Sequence, residues 1–263
     1  MIKLIAMDFD NTLIGHGKER ISPTLLNFFE KFIQKGFYAG IVTGRERWNL
    51  HETWLAHGEV WGNRFPNYLI AREAYIFRIN NGEYDELTDY NTAISEKISK
   101  TVREVASHLE TILHELEKDG ILIQNWFVYS DFAVEIRVAN DYDRAMEVIR
   151  DVLMKLHIKN VAVHRNVNLI TIYHQSAGKG NTLNAFAQSL AIKPDEVLAI
   201  GDSLNDLSMI DSHLGFVGAC VGNADDAVKQ TVLKNGGYVG KGVAFEGILD
   251  IINQIVTEGR MQP

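Results

Sequence analysis

The strongest constraint on the fold is the order in which strand-like and helix-like segments alternate. In the first third of the chain, the short apolar runs "KLIAMDF" and "FYAGIVTG" are each followed by a segment with helical periodicity. The last third repeats this alternation, with strands predicted at "EVLAIGDS" and "GFVGACVG". Strands that alternate with helices favour a parallel sheet covered by helices. We therefore predict an α/β core built from both ends of the chain.

The middle of the chain has a different pattern, in which a helix and a hairpin occur twice in succession. The helices are predicted over "SEKISKTVREVASHLETILHEL" and "DYDRAMEVIRDVLMKL", each with apolar residues on one face. Such a quasi-repeat indicates an antiparallel sheet with helices on one face. We predict a core domain of residues 1–82 and 174–263, interrupted by an inserted α+β domain of residues 83–173.

The composition excludes several classes of protein. At 46% hydrophobic and 23% charged residues, the 263-residue chain has the composition of a globular protein, and it contains no apolar run of membrane-spanning length. A net charge of −8 without a basic cluster argues against nucleic-acid binding. The single cysteine, Cys220, excludes an internal disulfide and is expected to be a buried small side chain. A cytoplasmic location is the default expectation.

Polar residues stand at the ends of the predicted core strands, where parallel sheets bind their ligands. They are Asp8 and Asp10, Thr43, Lys179 and Asp202. Each alone could be a helix N-cap or a solvated loop residue. Three carboxylates at one point require a cation, and oxygen ligands suit Mg²⁺. Together with a lysine and a hydroxyl for phosphate oxygens, they indicate phosphoryl transfer.

A P-loop is the main alternative for "GKGN", and it is excluded. A Walker A motif needs glycine five residues before the "GK" glycine, where this chain has Tyr173. It also needs Ser or Thr after the lysine, where this chain has Gly180. The histidines are scattered, so no cluster competes for zinc.

The chain resembles the haloacid dehalogenase superfamily of phosphatases. The motifs that carry this resemblance occur in the family's order and are "DFDNT" (8–12 with Asp8 and Asp10), "IVTGR" (41–45), "GKGN" (178–181) and "GDSLNDLSMI" (201–210). The segments "VGNADDAVK" and Gly242–Val243 are similar to its Cof-like, sucrose-phosphatase-like group. The resemblance implies a Rossmann-like parallel-sheet core and an insertion of the type C2 cap, C2B-like in its repeat.

The resemblance also implies catalytic and metal-binding roles. Asp8 would be the nucleophile that forms an aspartyl-phosphate, and Asp10 would be the general acid and base. Mg²⁺ would be held by Asp8, the backbone carbonyl of Asp10 and Asp202. Asp206 would bind the metal through water or support its ligands.

The phosphate group would be bound by residues of the remaining motifs. Thr43, the Gly44 amide and Lys179 would bind the phosphate oxygens and stabilise the charge of the transition state. Asn205 would reach the phosphate or orient the lysine. These assignments come from the family motifs and not from spacing.

Two positions depart from the family's pattern. Asn11 stands where this group usually has glycine, and asparagine tolerates positive φ better than most residues. The segment "AREAYIF" stands where many Cof-like members have Asn-Gly. Its Arg72 and Glu73 could form a local ion pair or alter the mouth of the site.

The inserted domain is expected to select the substrate. In "FAVEIRV", Glu135 and Arg137 alternate with apolar residues, so they could line a substrate-facing side of the sheet or a solvated one. Weaker candidates of the same kind are Asn125, His164 and Arg165.

The resulting prediction is a Mg²⁺-dependent phosphatase of a small phosphorylated metabolite, with a sugar phosphate expected rather than a nucleotide. A phosphomutase of the phosphomannomutase type is the nearest alternative, although only one set of phosphate motifs is present. A non-catalytic sensor of a phosphorylated ligand is the second alternative, and it would not need Asp8 and Asp10. No nucleic-acid or membrane partner is expected, and the sequence does not indicate an oligomeric state.

Overall fold

The computed structural model describes residues 1–15, 21–56 and 65–262, and the chain divides into two compact units. The core unit consists of Met1–Thr88 and Gly178–Pro263, and the inserted unit of Asp89–Ala177. The predicted insertion of residues 83–173 begins six residues before the inserted unit and ends four residues before the end of that unit. The first difference arises because residues 83–86 form a strand that pairs within the core sheet.

The described residues of the core unit form a sheet of eight strands. In chain order, the strands of this sheet are β1 (Leu4–Met7), β2 (Tyr38–Val42), β3 (Tyr68–Ala71), β4 (Tyr75–Asn80), β5 (Glu83–Glu86), β10 (Val197–Gly201), β11 (Val217–Cys220) and β12 (Tyr238–Val239). They lie in the order β12-β11-β10-β1-β2-β3-β4-β5. The strands from β12 to β3 are parallel, as predicted, whereas β4 and β5 add an antiparallel edge that the sequence analysis did not predict.

The helices of the core unit follow the predicted α/β alternation. They are α1 (Pro23–Gln34), α2 (Arg47–Ala56), α6 (Lys179–Ser189), α7 (Leu207–Ile210), α8 (Asp226–Lys234) and α9 (Phe245–Thr257). Helix α1 begins at Pro23 because the Ser22 hydroxyl accepts the Thr24 N–H, and its chain turns at Gly36 with φ +85°. Among the described residues, no helix is both long and apolar enough to cross a membrane.

The central strand β1 is held by apolar packing. All four of its residues are buried, because it has a strand on each side and helices over it. Phe29 of α1 stacks on Phe65 with the ring centroids 4.3 Å apart, and α9 buries four isoleucines in the same core. Burial of each large apolar side chain contributes about 1.5–3 kcal/mol to the free energy of folding. This packing fixes the position at which the chain leaves β1.

The inserted unit has the predicted order of helix, hairpin, helix and hairpin. Its elements are α3 (Thr88–Ser107), α4 (Leu109–Lys118), β6 (Ile123–Tyr129), β7 (Ala133–Val138), α5 (Tyr142–Lys155), β8 (Val161–Asn166) and β9 (Leu169–His174). The four strands form an antiparallel sheet in the order β6-β7-β9-β8. The first predicted helix is interrupted at His108, whose N–H bonds to Val105 three residues back, while the Ser107 hydroxyl donates to the Glu104 carbonyl.

Close packing of α6 against α7 requires the glycine at position 180. A Cβ atom on Gly180 would lie 1.9 Å from the Ser208 carbonyl oxygen. We expect Gly180→Ala to lower the free energy of unfolding by about 1–3 kcal/mol, because α6 has to shift away from α7. The matched control is Gly15→Ala, where the nearest atom lies 3.7 Å from the added carbon. Urea denaturation of both variants measures this, and equal stabilities would contradict the packing argument.

Candidate active site

Three of the predicted site residues are brought together by the register of the parallel strands. Asp8 follows β1, Thr43 follows β2 and Asp202 follows β10. Strand β1 lies between β2 and β10 and pairs with both in parallel, with Met7 opposite Ile41 on one side and Ile200 on the other. The three side chains therefore leave the sheet at the same edge.

Lys179 is a buried cation between two of the carboxylates. Its side chain is 1% exposed, and Nζ lies 2.6 Å from Asp8 Oδ1 and 2.6 Å from Asp206 Oδ1. Burial disfavours the charged form of the lysine, but the attraction of Asp206 and Asp8 outweighs it and raises the pKa. The lysine is therefore an ammonium ion at neutral pH.

The carboxylates of Asp8, Asp202 and Asp206 form a buried acidic triad. One oxygen from each lies within 4.8 Å of the others. Asp206 has both oxygens engaged, since Oδ1 accepts from Lys179 and Oδ2 accepts the backbone N–H groups of Asp202 and Ser203 at 2.9 and 3.0 Å. Asp8 and Asp202 use Oδ1 for their described side-chain hydrogen bonds. Their Oδ2 atoms therefore remain candidates for binding a metal ion.

The triad carries more negative charge than Lys179 neutralises. Burial, together with the repulsion of Asp206, raises the pKa of Asp202 to about 6. Burial also raises the pKa of Asp8 well above its usual range, although Lys179 acts in the opposite direction. A divalent cation would favour the ionised form of both groups. The acidic triad could therefore bind a metal, and its all-oxygen donors suit a hard cation.

Asp10 is held by Arg45 in a two-point ion pair. Arg45 Nε and Nη2 each donate to one Asp10 oxygen at 2.7 Å, and Nη1 donates to Asn49 Oδ1 at 2.6 Å. The hydrogen bonds to Asp10 raise the pKa of Arg45. Arg45 belongs to the motif "IVTGR", but no role was predicted for it from the sequence. The available signal was an arginine two residues after Thr43, because a guanidinium group can donate two parallel hydrogen bonds to a carboxylate.

The loop after β1 is closed by Asn11 and Thr12. Asn11 stands where the family usually has glycine, and it adopts a positive φ of +60°, which asparagine tolerates. Its N–H donates to the Ile14 carbonyl at 2.7 Å. The buried Thr12 hydroxyl donates to Asp202 Oδ1 at 2.8 Å. Thr12 therefore orients a metal-ligand candidate, a role that the sequence analysis missed.

The predicted phosphate-binding residues surround Glu73. Thr43 is buried, and its backbone carbonyl accepts the Glu73 N–H at 2.9 Å. Burial raises the pKa of Glu73, and the attraction of Lys179 acts in the opposite direction. The Ser203 hydroxyl donates to the side-chain oxygen of Asn205. A Cβ placed on Gly44 would lie 3.6 Å from Glu73 Oε1. Glu73 thus links the residues expected to bind phosphate.

The weaker candidates lie on the sheet of the inserted unit. Glu135 and His164 are both opposite Thr171 and share a face, with Arg137 on the same side of β7. Asn125 is opposite Arg137 on the exposed strand β6. Arg165 differs, because it is opposite Ile170 and bonds to α5, pairing with Asp143 and stacking over Tyr142. Arg165 is therefore on the helix-covered face, contrary to its selection as a substrate-facing residue.

Comparison with known proteins identifies the family. The model of the haloacid dehalogenase-like hydrolases matches residues 5–143 and 68–244. A phosphoglycolate phosphatase of Methanothermobacter thermautotrophicus is 30% identical over 259 residues, which is 97% of this chain and 99% of the relative. The chain belongs to the haloacid dehalogenase-like hydrolases. The family prediction is confirmed, and the relative supports the predicted phosphatase class.

Other matches are shorter or structural. A protein of Haemophilus influenzae is 30% identical over 97 residues, and this match spans only 36% of either chain. The solved structure of the sucrose-phosphatase of Synechocystis, in complex with sucrose and phosphate, has a TM-score of 0.72 at 20% identity. That alignment covers 97% of this chain and 99% of the other, so the α/β fold prediction is confirmed.

Removal of the buried lysine should destabilise the protein in a pH-dependent way. We expect Lys179→Met to lower the free energy of unfolding by about 3–5 kcal/mol at pH 8, because Asp8 and Asp206 lose their counter-ion. The loss should be smaller at pH 5, because burial raises the pKa of Asp8 and this carboxyl takes up a proton more readily there. The control is Lys118→Met, which removes an exposed ion pair with Glu115. Urea denaturation at both pH values measures the effect, and a pH-independent loss would contradict it.

Proposed function

We propose that this chain is a Mg²⁺-dependent phosphatase that hydrolyses a small phosphorylated metabolite, a sugar phosphate, through an aspartyl-phosphate. The observation that carries the proposal is the environment of Asp8. This carboxylate is buried at the end of the central strand, is bound to Lys179 and lies in the acidic triad. A buried carboxylate next to a fixed ammonium can attack phosphorus while the ammonium binds the phosphate oxygens.

In the first half-reaction, Asp8 displaces the alcohol from phosphorus. A carboxylate oxygen of Asp8 forms the new P–O bond as the bond to the leaving oxygen breaks. Lys179, the Thr43 hydroxyl and the Gly44 N–H stabilise the charge on the phosphoryl oxygens. Asp10 gives its proton to the leaving oxygen, so the alcohol departs neutral.

In the second half-reaction, water hydrolyses the aspartyl-phosphate. Asp10, now a carboxylate, accepts a proton from the water as its oxygen bonds to phosphorus, and Asp8 leaves as a free carboxylate. Protonation removes the charge of Asp10 and so weakens the two guanidinium hydrogen bonds that Arg45 donates to it. The ion pair is therefore weaker in the half-reaction that needs a protonated Asp10.

Magnesium fits the donor set of the site. Asp8 Oδ2 and Asp202 Oδ2, with the Asp10 carbonyl, would hold the ion, and Asp206 would support them. Once bound, Mg²⁺ supplies positive charge that draws the substrate phosphate to Asp8. Thr12 and the backbone N–H groups that bind Asp206 keep these carboxylates in place.

The substrate class is supported by the inserted unit. Glu135 and Arg137 provide a half-buried charged pair on β7, which could recognise hydroxyl groups of a sugar. The Methanothermobacter relative is named for phosphoglycolate, a different small phosphomonoester. A panel of hexose, pentose and triose phosphates, with phosphoglycolate and nucleotides, tests the class by phosphate release. Isomerisation of sugar phosphates without release would identify a mutase instead.

The two aspartates of the first motif should fail in different ways. We expect Asp8→Asn to lose at least about 1,000-fold in kcat with every substrate, because no nucleophile remains. Asp10→Asn should slow the release of the leaving group in the first half-reaction. This rate should fall much less with p-nitrophenyl phosphate than with an alkyl phosphate, because nitrophenolate departs without a proton.

Single-turnover kinetics on both substrates separates these effects. Phosphate release by Asp8→Asn at the wild-type rate would rule out the aspartyl-phosphate. The control for charge loss is Asp85→Asn on the exposed edge strand β5, which should retain wild-type kinetics.

Binding of Mg²⁺ should stabilise the protein more at high pH than at low pH. The pKa of Asp202 in the folded protein, about 6, lies above its ordinary value of 3.8, so this group lowers stability as the pH rises from 3.8 to about 6, and the loss is then constant at higher pH. Mg²⁺ competes with the proton and removes this loss. We expect the Mg²⁺-induced rise in melting temperature to be larger at pH 7.5 than at pH 5. Asp202→Asn should abolish the difference, and an equal rise at both pH values would contradict the assignment.

A further inference from the structure

The side chain of Asn223 joins two loops that lie far apart in the sequence. Its amide nitrogen Nδ2 donates to the Asn11 carbonyl at 2.8 Å, and its Oδ1 accepts the Ala244 N–H at 2.8 Å. Asn11 belongs to the loop after β1, Ala244 directly precedes α9, and Asn223 itself lies between β11 and α8. Both ends of the amide are used, so its orientation is fixed.

Both residues bonded to Asn223 have a backbone conformation that side chains disfavour. Asn11 has φ +60°, and Ala244 has φ +48° with ψ −128°. Residues other than glycine rarely adopt positive φ, and such conformations persist only where surrounding contacts impose them. Ala244 is buried, and a Cβ added to Gly15 of the loop after β1 would lie 3.7 Å from its Cβ. The Asn223 amide is one of the contacts that hold this loop against the start of α9.

The two peptide groups that flank Asn11 are each fixed by a hydrogen bond. The Asn11 N–H donates to the Ile14 carbonyl at 2.7 Å and so sets the plane of the peptide that Asn11 shares with Asp10. Because a trans peptide is planar, the Asp10 carbonyl points the opposite way from this N–H. The bond from Asn223 sets the plane of the next peptide, which Asn11 shares with Thr12. The angle between these planes is the conformation of Asn11.

The conformation of Asn11 relates two groups of the proposed metal site. The Asp10 carbonyl is one expected ligand of the ion, and the Asp202 carboxylate is another. The Thr12 hydroxyl orients Asp202, because it donates to Asp202 Oδ1 at 2.8 Å. A rotation at Asn11 would therefore move the Asp10 carbonyl relative to the Asp202 carboxylate.

We propose that Asn223 is a positioning residue of the metal site. By holding the Asn11 carbonyl, it keeps the Asp10 carbonyl and the Asp202 carboxylate in the relative arrangement that the ion needs. The inference rests on the proposed function, which assigns both groups to Mg²⁺. Asn223 acts through the backbone of Asn11 and is not itself a ligand.

A comparison of two cations tests whether Asn223 acts through geometry. Mg²⁺ requires near-ideal octahedral coordination, whereas Ca²⁺ accepts flexible arrangements of oxygen ligands. Asn223→Ala removes no charge, so we expect it to raise the dissociation constant of Mg²⁺ about 10-fold and that of Ca²⁺ no more than about 2-fold. Isothermal titration calorimetry of the substrate-free protein measures both constants. Equal losses for the two ions, or an unchanged constant for Mg²⁺, would overturn the proposal.

The matched control is Asn67→Ala. Asn67 also uses both ends of its amide, since it accepts the Ala39 N–H at 2.9 Å and donates to the Phe37 carbonyl at 3.1 Å. These bonds lie at the start of β2, whereas the site follows its end. We expect a similar fall in melting temperature for the two variants, but wild-type affinity for both ions in Asn67→Ala. An equal loss of Mg²⁺ affinity in Asn67→Ala would attribute the effect to lowered stability and overturn the proposal.

The outcomes also separate this inference from the proposed function. If the wild-type protein releases phosphate from a substrate with Mg²⁺ present while Asn223→Ala binds Mg²⁺ normally, only the role of Asn223 fails. If the wild-type protein neither binds a divalent cation nor cleaves any phosphomonoester, both proposals fail together.

Discussion

The burial of one ammonium group among three carboxylates is the interaction on which the rest of the site depends. Lys179 has almost no exposed surface and contacts Asp8 and Asp206 directly. Removing these charges from water costs several kcal/mol per ion, which their attraction offsets only when the geometry is good. The parallel strands supply that geometry by ending at one edge. The charged groups of the site are thus in place without a bound substrate. The free energy lost by burying them is offset by the packing of the hydrophobic core.

The predicted site residues that the structure brings together share a local signal. Asp8, Thr43 and Asp202 each follow a short apolar run, and parallel strands place such residues at one edge of a sheet. Lys179 was found because its glycine-flanked position precedes a helical pattern. For these residues, the sequence and one general rule of sheet topology are sufficient. The same reasoning identified the two helix–hairpin repeats, although it did not detect the break at His108.

The residues that the sequence could not reveal act through partners far away in the chain. Arg45 binds an aspartate 35 positions earlier, and Thr12 bonds to Asp202 across 190 positions. No periodicity encodes such pairs, because each depends on tertiary packing. Strand β4 was missed for a related reason. The β3–β4 turn at Arg72 and Glu73 lacks the Asn-Gly sequence that such a hairpin favours, since contacts with neighbouring loops override the local preference.

The chain returns from the inserted unit at Gly178, one residue before the buried lysine. The Glu73 carbonyl accepts hydrogen bonds from the Gly178 N–H and the Thr182 hydroxyl. The first turn of α6 is therefore bonded to the β3–β4 turn, which belongs to the same core unit. The contacts that hold Lys179 beside Asp8 therefore lie within the core unit. We expect substitutions in residues 89–177 to leave this ion pair in place.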